Sequence, residues 1–85
     1  MEMIMSVAVE DRPTDKVREE VIDQLIMNYS HGEISLEAFE RRLDDAMNTS
    51  CNKTLLALTE DLPLSVDNDY VEKKKRELNF NYAPN

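Results

Sequence analysis

The stretch HGEISLEAFERRLDDAM, residues 31–47, decides the fold of this chain. Gly32 can take the left-handed conformation that ends a helix. Ser35 then stands before a new apolar period, with Ile34 and Phe39 at the spacing of a hydrophobic staple around a serine N-cap. The stretch therefore predicts the end of one helix, a turn of a few residues and the start of a second helix, which together form a helical hairpin.

The second helix of this hairpin is predicted over residues 36–49. Its apolar residues recur at helical spacing, whereas most of the residues between them are charged. One buried face is therefore predicted, made of Leu36, Phe39, Leu43, Ala46 and Met47.

The first helix is predicted upstream of the turn, from Asp15 to Ser30. Pro13 disfavours helix at the residue before it, and Thr14 or Asp15 can cap the free amide groups that follow. The apolar residues of this segment form a stripe at helical spacing, made of Val17, Val21, Ile22, Leu25, Ile26 and Tyr29.

A third, shorter helix is predicted downstream, up to about Glu60. Ser50 or Asn52 can cap its start, and Pro63 stops it. Its apolar residues again recur at helical spacing and include Leu55, Leu58 and Leu62. This helix completes the predicted core.

The fold class that follows is all-α: a small three-helix module, a helical hairpin plus a short third helix, with flexible N- and C-terminal segments. A chain of 85 residues forms one domain at most. Its core is predicted to consist mainly of Val21, Leu25, Phe39, Leu43, Leu55, Leu58 and Leu62.

Both ends of the chain are predicted to lie outside the helical domain, which is assigned to residues 12–63. Residues 1–11 are interpreted as a flexible or loosely packed arm, with an edge strand added to a partner as the alternative. Residues 64–85 are interpreted as a linker or tail with a marginal helix, which Asn68 or Asp69 can cap.

The charge of the chain limits its partners. A net charge of −8 repels phosphate backbones and anionic lipid head groups, so we expect no nucleic-acid partner. A membrane is expected to be involved only indirectly, if a transmembrane segment follows in the native protein. The basic run KKKR at residues 73–76 is interpreted as a solvated helix end, with contact to the acidic face of a second copy as the alternative.

The candidate chemical groups favour structural roles, so neither an enzyme nor a metal or cofactor site is predicted. Neighbouring acids such as Asp44 and Asp45 point about 100° apart on a helix and are interpreted as a solvated face. His31 is predicted to interact with free carbonyl groups at the end of the first helix. Cys51, the single cysteine, is predicted to be inert or to join two copies of the chain.

Two arginines of the helical domain have a predicted structural role. Arg18 and Arg42 are expected to pair with Asp61 or Asp15 and so to hold the three helices together.

With these residues in place, the chain from Arg12 to Pro63 resembles the SHOCT-like family known as domain of unknown function 1707. The resemblance rests on an Arg, a Ser or Thr, an Asp and an Arg-Glu pair that open the first helix, on a Gly-x-Leu-Ser-x-x-Glu-Phe-x-x-Arg turn and on a closing Asp-Leu-Pro. The matching positions are Arg12, Thr14, Asp15, Arg18, Glu19, Gly32, Ile34, Ser35, Phe39, Arg42, Leu43, Ala46, Leu55, Leu58, Asp61, Leu62 and Pro63.

The sequence departs from the family pattern at three positions, where Val17, Ala38 and Cys51 replace an acid, a glutamate and a threonine. These departures affect helix capping and leave the fold unchanged. The resemblance implies a short helical module with no established enzymatic activity, found on the cytoplasmic side of bacterial membrane proteins.

The expected function is that of a non-catalytic module that binds another protein or a second copy of itself, as a homodimer. The alternative is a cytoplasmic N-terminal regulatory domain of a bacterial membrane or envelope-stress protein. A single cysteine favours a reducing compartment. The chain also contains no apolar run long enough for a signal peptide or a transmembrane helix. A cytoplasmic location is therefore expected, with the cytoplasmic face of the membrane as the alternative.

Overall fold

A computed structural model describes residues 12–77 of the chain. In this part of the chain it contains four helices, α1 (Thr14–Ser30), α2 (Leu36–Asn48), α3 (Asn52–Ala57) and α4 (Asn68–Glu77). The predicted all-α class is confirmed. The predicted N-terminal arm, residues 1–11, with its alternative as an edge strand, and the end of the predicted tail, residues 78–85, lie outside the described residues.

Helix α1 is the centre of the fold, because α2, α3 and α4 all pack against it. A helix with neighbours on several sides must bury more than one narrow stripe. The buried residues of α1 accordingly cover a broad arc and are Val17, Val21, Ile22, Leu25, Ile26 and Asn28. The other helices complete this core with Phe39, Ala46, Leu55 and Val71.

The start of α1 differs from the prediction. Neither Thr14 nor Asp15 caps the helix: Thr14 is its first residue, and no side chain makes a capping hydrogen bond there. The Pro13 carbonyl accepts hydrogen bonds from the amides of Lys16 and Val17, at 3.0 and 3.1 Å. Pro13 is therefore the residue that starts the helix, as its fixed φ and missing amide allow.

The turn between α1 and α2 follows the prediction closely. Gly32 has a φ of +80°, a conformation that glycine adopts without the strain a Cβ would cause. The Ser35 hydroxyl accepts a hydrogen bond from the Ala38 amide at 3.1 Å and so caps α2. Ile34 is half-buried and packs against the core cluster that contains Phe39. The predicted serine cap is confirmed.

Helix α2 ends at Asn48, one residue before the predicted end, and its buried face is narrower than predicted. Phe39 and Ala46 are buried, as expected, whereas Leu43 is only half-buried. Leu36 and Met47 were predicted to be buried, but they are 52% and 47% exposed. At 100° per residue these two side chains lie about 60–100° round the helix from Phe39 and Ala46, which places them beyond the edge of the core.

Helix α3 is shorter than predicted and ends at Ala57, after which turns continue to Asp61. The predicted caps are wrong, because Cys51 precedes the helix and no side-chain cap bond is made. The Asn52 side chain is instead buried and donates to the Arg12 carbonyl at 2.8 Å. Asn52 therefore joins α3 to the chain that leads into α1.

The segment after Pro63 was predicted to be a linker or tail with a marginal helix, and a helix is present there, but it packs into the core. This helix is α4, ten residues long, whose Val71 is 1% exposed and belongs to the core. Asp67, rather than Asn68 or Asp69, caps it, by accepting from the Tyr70 amide at 3.2 Å. The core gains a fourth helix because α1 keeps an apolar side that α2 and α3 leave uncovered.

Helix α4 runs antiparallel to α1. Its first turn lies beside the end of α1, where the Tyr70 and His31 rings are 4.7 Å apart. Further along, Lys75 forms an ion pair with Asp23, nearer the middle of α1.

Candidate functional site

The residues singled out from the sequence form polar links between helices, and Arg18 makes the first of them. Its guanidinium donates to the carbonyls of Ala46 at 2.9 Å and Thr49 at 2.7 Å, and to the Asp15 carboxylate at 2.9 Å. The last carbonyl groups of a helix have no partner within it, and a cation there also favours the helix dipole. Arg18 thus caps the end of α2 from α1, and its predicted pairing with Asp15 is present.

Arg42 makes the second link. Its two terminal nitrogens donate to the two Asp61 carboxylate oxygens at 2.9 and 3.0 Å, and one of them also donates to the Leu58 carbonyl at 3.0 Å. This bidentate bond lowers the pKa of Asp61 and raises the pKa of Arg42, because it stabilises both charged forms. The predicted pairing of Arg42 with Asp61 is therefore present, and it ties α2 to the turn after α3.

Asn28 makes a third link, which was not predicted from the sequence. This fully buried side chain donates to the carbonyls of Gln24 at 2.8 Å and Leu64 at 3.0 Å, and it accepts from the Leu64 amide at 3.1 Å. A signal existed, since Asn28 falls on the apolar stripe of α1 at helical spacing from Val21 and Leu25. A polar residue on such a stripe indicates a buried hydrogen-bond partner.

The remaining singled-out residues contribute to packing and turns. Leu43 and Leu62 are half-buried and pack against the core, whereas Pro63 is exposed after the last turn. Together with the arginine links, these positions explain how the domain holds its shape.

A surface on α2 is the feature that the core does not explain. One line along the helix passes within about 20° of three residues, Leu36, Leu43 and Met47, because Leu43 follows Leu36 by 7 residues and Met47 follows it by 11. We call these three residues the α2 stripe. Leu36 and Met47 are the large apolar side chains that are exposed in the described part of the chain, and Leu43 connects the stripe to the core.

An acidic border lies along the outer side of the α2 stripe. Glu40, Asp44 and Glu37 follow the stripe round the helix at about 40°, 80° and 100° from Leu36. All three side chains are exposed. The combination of exposed apolar groups with one sign of charge beside them distinguishes this surface from the rest of α2.

His31 and Cys51 have environments that match structural roles. The His31 Nδ1 atom lies 2.9 Å from the Met27 carbonyl oxygen, so the predicted interaction with a free helix carbonyl is present. Cys51 is exposed. The Thr54 hydroxyl, followed by the amides of Thr54 and Lys53, lowers the pKa of the Cys51 thiol by stabilising its thiolate.

The basic run at residues 73–76 is only partly a solvated helix end. Lys75 pairs with Asp23 at 2.7 Å, and both side chains are mostly buried, at 18% and 15% exposed. Lys74 pairs with Glu77 at 3.2 Å and lies 5.7 Å from the centre of the Tyr70 ring. The run therefore contributes to the attachment of α4, which the sequence analysis did not foresee.

Two further observations concern the residues that the structure describes. Among them, no three or more His, Cys, Asp or Glu side chains form a group that could hold a metal ion. No helix among them combines the length and the apolar character needed to cross a bilayer.

Comparisons with known proteins agree with the resemblance seen in the sequence. No curated protein and no solved structure matches the chain. The family model of the DUF1707 SHOCT-like domain matches residues 12–63, from the arginine before α1 to the proline after the last turn. The match includes both arginine links and the Ser35 cap and stops before α4. The chain therefore belongs to the DUF1707 SHOCT-like domain family.

Proposed function

We propose that this domain is a non-catalytic module that binds a protein partner through the α2 stripe. The observation that carries the proposal is the exposure of Leu36 and Met47, 52% and 47%, on one line of one helix. Single exposed apolar residues are common on protein surfaces, but aligned ones mark candidate interaction sites.

The rest of the domain holds α2, and with it this surface, in a fixed position. Arg18 holds the C-terminal end of α2 to α1, and Arg42 holds its middle to the turn after α3. Ser35 caps its N-terminal end. A helix that is capped at its start and fixed to the rest of the domain at two places presents its exposed side chains with little loss of conformational entropy on binding, which favours affinity.

The polar side chains of the domain also favour binding over catalysis. The charged groups of the arginine links form hydrogen bonds within the fold, and His31 interacts with a helix carbonyl and an aromatic ring. None of these groups is paired with a nucleophile as a catalytic base would be.

We place the module in the cytoplasm as part of the proposal. Cys51 is exposed and is the single cysteine of the chain. An exposed thiol with a lowered pKa is best kept reduced in a reducing compartment. Fractionation of cells that express a tagged chain should recover it with cytoplasmic markers, and recovery with periplasmic or extracellular markers would contradict this location.

The test compares two double variants. Leu36→Ser with Met47→Ser removes the apolar character of the stripe, and Leu36→Met with Met47→Leu preserves it as a matched control. Both variants should retain the circular dichroism spectrum of the original chain, because these side chains are largely outside the core.

We expect light scattering across a concentration series, together with quantitative affinity purification, to detect an association that the serine variant loses and the control variant keeps. If both variants keep it equally, the stripe is not the binding surface. A chain that stays monomeric and retains no protein specifically would contradict the proposed function itself.

A further inference from the structure

We infer that the partner of the α2 stripe is an amphipathic helix of another protein that carries lysine or arginine beside its apolar face. The inference rests on the proposed function and specifies the chemistry of the partner. The apolar stripe and the acidic border together define this partner: the stripe binds its apolar face, and the border binds the basic residues beside that face.

The apolar part of the surface has the dimensions of a helix-binding strip. Leu36 and Met47 are 11 residues apart, which corresponds to about 16 Å along α2. A partner helix spans this length in three turns and can place apolar side chains on it at i, i+4, i+7 and i+11. Burial of apolar area on both sides supplies the favourable free energy of binding.

The acidic border selects the sign of the partner's charge. Glu40 and Asp44 stand next to the stripe, and Glu37 lies just beyond them, all exposed. Arg41 is the exposed base of this helix, but it lies about 140° from Leu36 and so does not adjoin the stripe. Lysine or arginine beside the partner's apolar face would meet this border, which steers association and excludes acidic partners.

A second copy of the chain fits this surface poorly when the two α2 helices pair antiparallel. If two α2 stripes met face to face in that orientation, the two acidic borders would lie on the same side of the interface and repel each other. Lys73 and Arg76 on α4 are exposed bases, but the large exposed apolar side chains of the described residues are on α2. A contact between α2 and the α4 of another copy would therefore pair charges without covering the stripe.

The experiment uses the full chain and a synthetic probe. The probe is a fluorescein-labelled helical peptide of leucine, alanine and lysine with its leucines on one face. One control peptide has the same composition in scrambled order, and another has glutamate in place of every lysine. Fluorescence anisotropy at about 50 and about 300 mM salt gives the affinities, since exposed charge pairs weaken as the Debye length shortens.

Two matched charge variants locate the binding surface. Glu40→Gln with Asp44→Asn removes two charges from the acidic border, and Glu19→Gln with Glu60→Gln removes two exposed charges outside α2. Both variants change the net charge of the chain equally. A difference between them therefore reports position and not overall charge.

We expect the lysine peptide to bind at least about tenfold more tightly than the scrambled and glutamate peptides, a difference of about 1.4 kcal/mol. The border variant should weaken binding several-fold and flatten its salt dependence, and the Glu19/Glu60 variant should change it less. The serine variant of Leu36 and Met47 should also weaken it. Amide chemical shifts should change along α2.

Several results would overturn the inference. The border and Glu19/Glu60 variants could weaken binding equally, the glutamate peptide could bind as well as the lysine peptide, or light scattering could show a dimer that the serine variant abolishes. In the last case the proposed function stands and the partner is a second copy. If the lysine peptide fails while a cellular partner is still lost with the serine variant, only the chemistry assigned to the partner is wrong.

Discussion

Helices α2 and α4 both pack against α1, but they are attached by different kinds of contact. Helix α2 inserts Phe39 into the core, where its ring stacks on Tyr29 with centroids 4.6 Å apart, and Arg18 holds its C-terminal end. Helix α4 inserts Val71 as its buried residue, packs the half-buried Tyr70 against the core and the His31 ring, and forms the Asp23–Lys75 ion pair.

The two attachments differ in stability and in how far a sequence reveals them. Apolar burial and hydrogen bonds at the end of the helix attach α2 strongly. The apolar residues involved recur at helical spacing, so this attachment is visible in the sequence. One buried valine and one ion pair give α4 a weaker attachment, so α4 should open at a lower free energy than the rest of the domain. The following experiments test that order.

The largest effect is expected from Phe39→Ala, which should lower the free energy of unfolding by about 3–5 kcal/mol through lost burial and a cavity under α2. Urea denaturation followed by circular dichroism measures it. Leu36→Ala on the same helix is the control and should cost far less, since Leu36 is exposed. A Phe39 variant that loses less than the Val71 variant described next would reverse the proposed order.

Val71→Ala comes second, with an expected loss of about 1–2 kcal/mol for two buried methyl groups. Amide hydrogen exchange should accelerate in α4 while α2 stays protected, because the substitution weakens only the attachment of α4. Lys73→Ala, an exposed residue of the same helix, is the control. Equal acceleration in α2 would show that α4 does not open on its own.

The ion pair of Asp23 with Lys75 is expected to contribute about 1 kcal/mol, since its groups are largely shielded from water but not fully buried. Lys75→Gln removes it, and Lys74→Gln removes the more exposed pair with Glu77 as a control. Thermal melting at low and high salt should show a larger and less salt-sensitive loss for Lys75→Gln. Identical losses would mean that the Asp23 pair adds nothing to the attachment of α4.

The smallest effect is expected at low pH, from loss of the Arg42–Asp61 pair that links α2 to the turn after α3. Arg42 lowers the pKa of Asp61, so this link stabilises the fold fully above the ordinary carboxyl pKa of about 4. Its contribution is lost as pH falls through the lower pKa of the folded state. The gap between the urea midpoints of the original chain and of Arg42→Gln should narrow below that pH, to the part that the Leu58 carbonyl bond contributes. A gap that stays constant would contradict the role of Asp61.

Much of the fold could be predicted because the relevant signals are local. The α1–α2 turn depends on Gly32 and Ser35, which act within a few residues, and the apolar periods of α1 and α2 fix most of the core. The arginine pairs were predicted because charged residues stand at positions where packing would otherwise favour apolar ones. The cap of α1 was predicted wrongly because Pro13 supplies the start that Thr14 or Asp15 was expected to give.

The candidate site was harder to predict from the sequence. The periodicity of α2 groups Leu36 and Met47 with Phe39, and the sequence alone does not show how far round the helix its neighbours reach. Leu36 and Met47 are exposed because the core covers Phe39 and Ala46 and leaves the edge of the apolar face of α2 open.

Local signals in the sequence are enough to predict the all-α class, the helical hairpin and most of its core, because these depend on hydrogen bonds and side chains three or four residues apart. Only the tertiary structure decided the attachment of α4, the pairing of Asn28 with Leu64, 36 residues away, and the exposure of the α2 stripe. These features depend on groups that are distant in the chain and meet only when the helices pack together, so no local pattern specifies them.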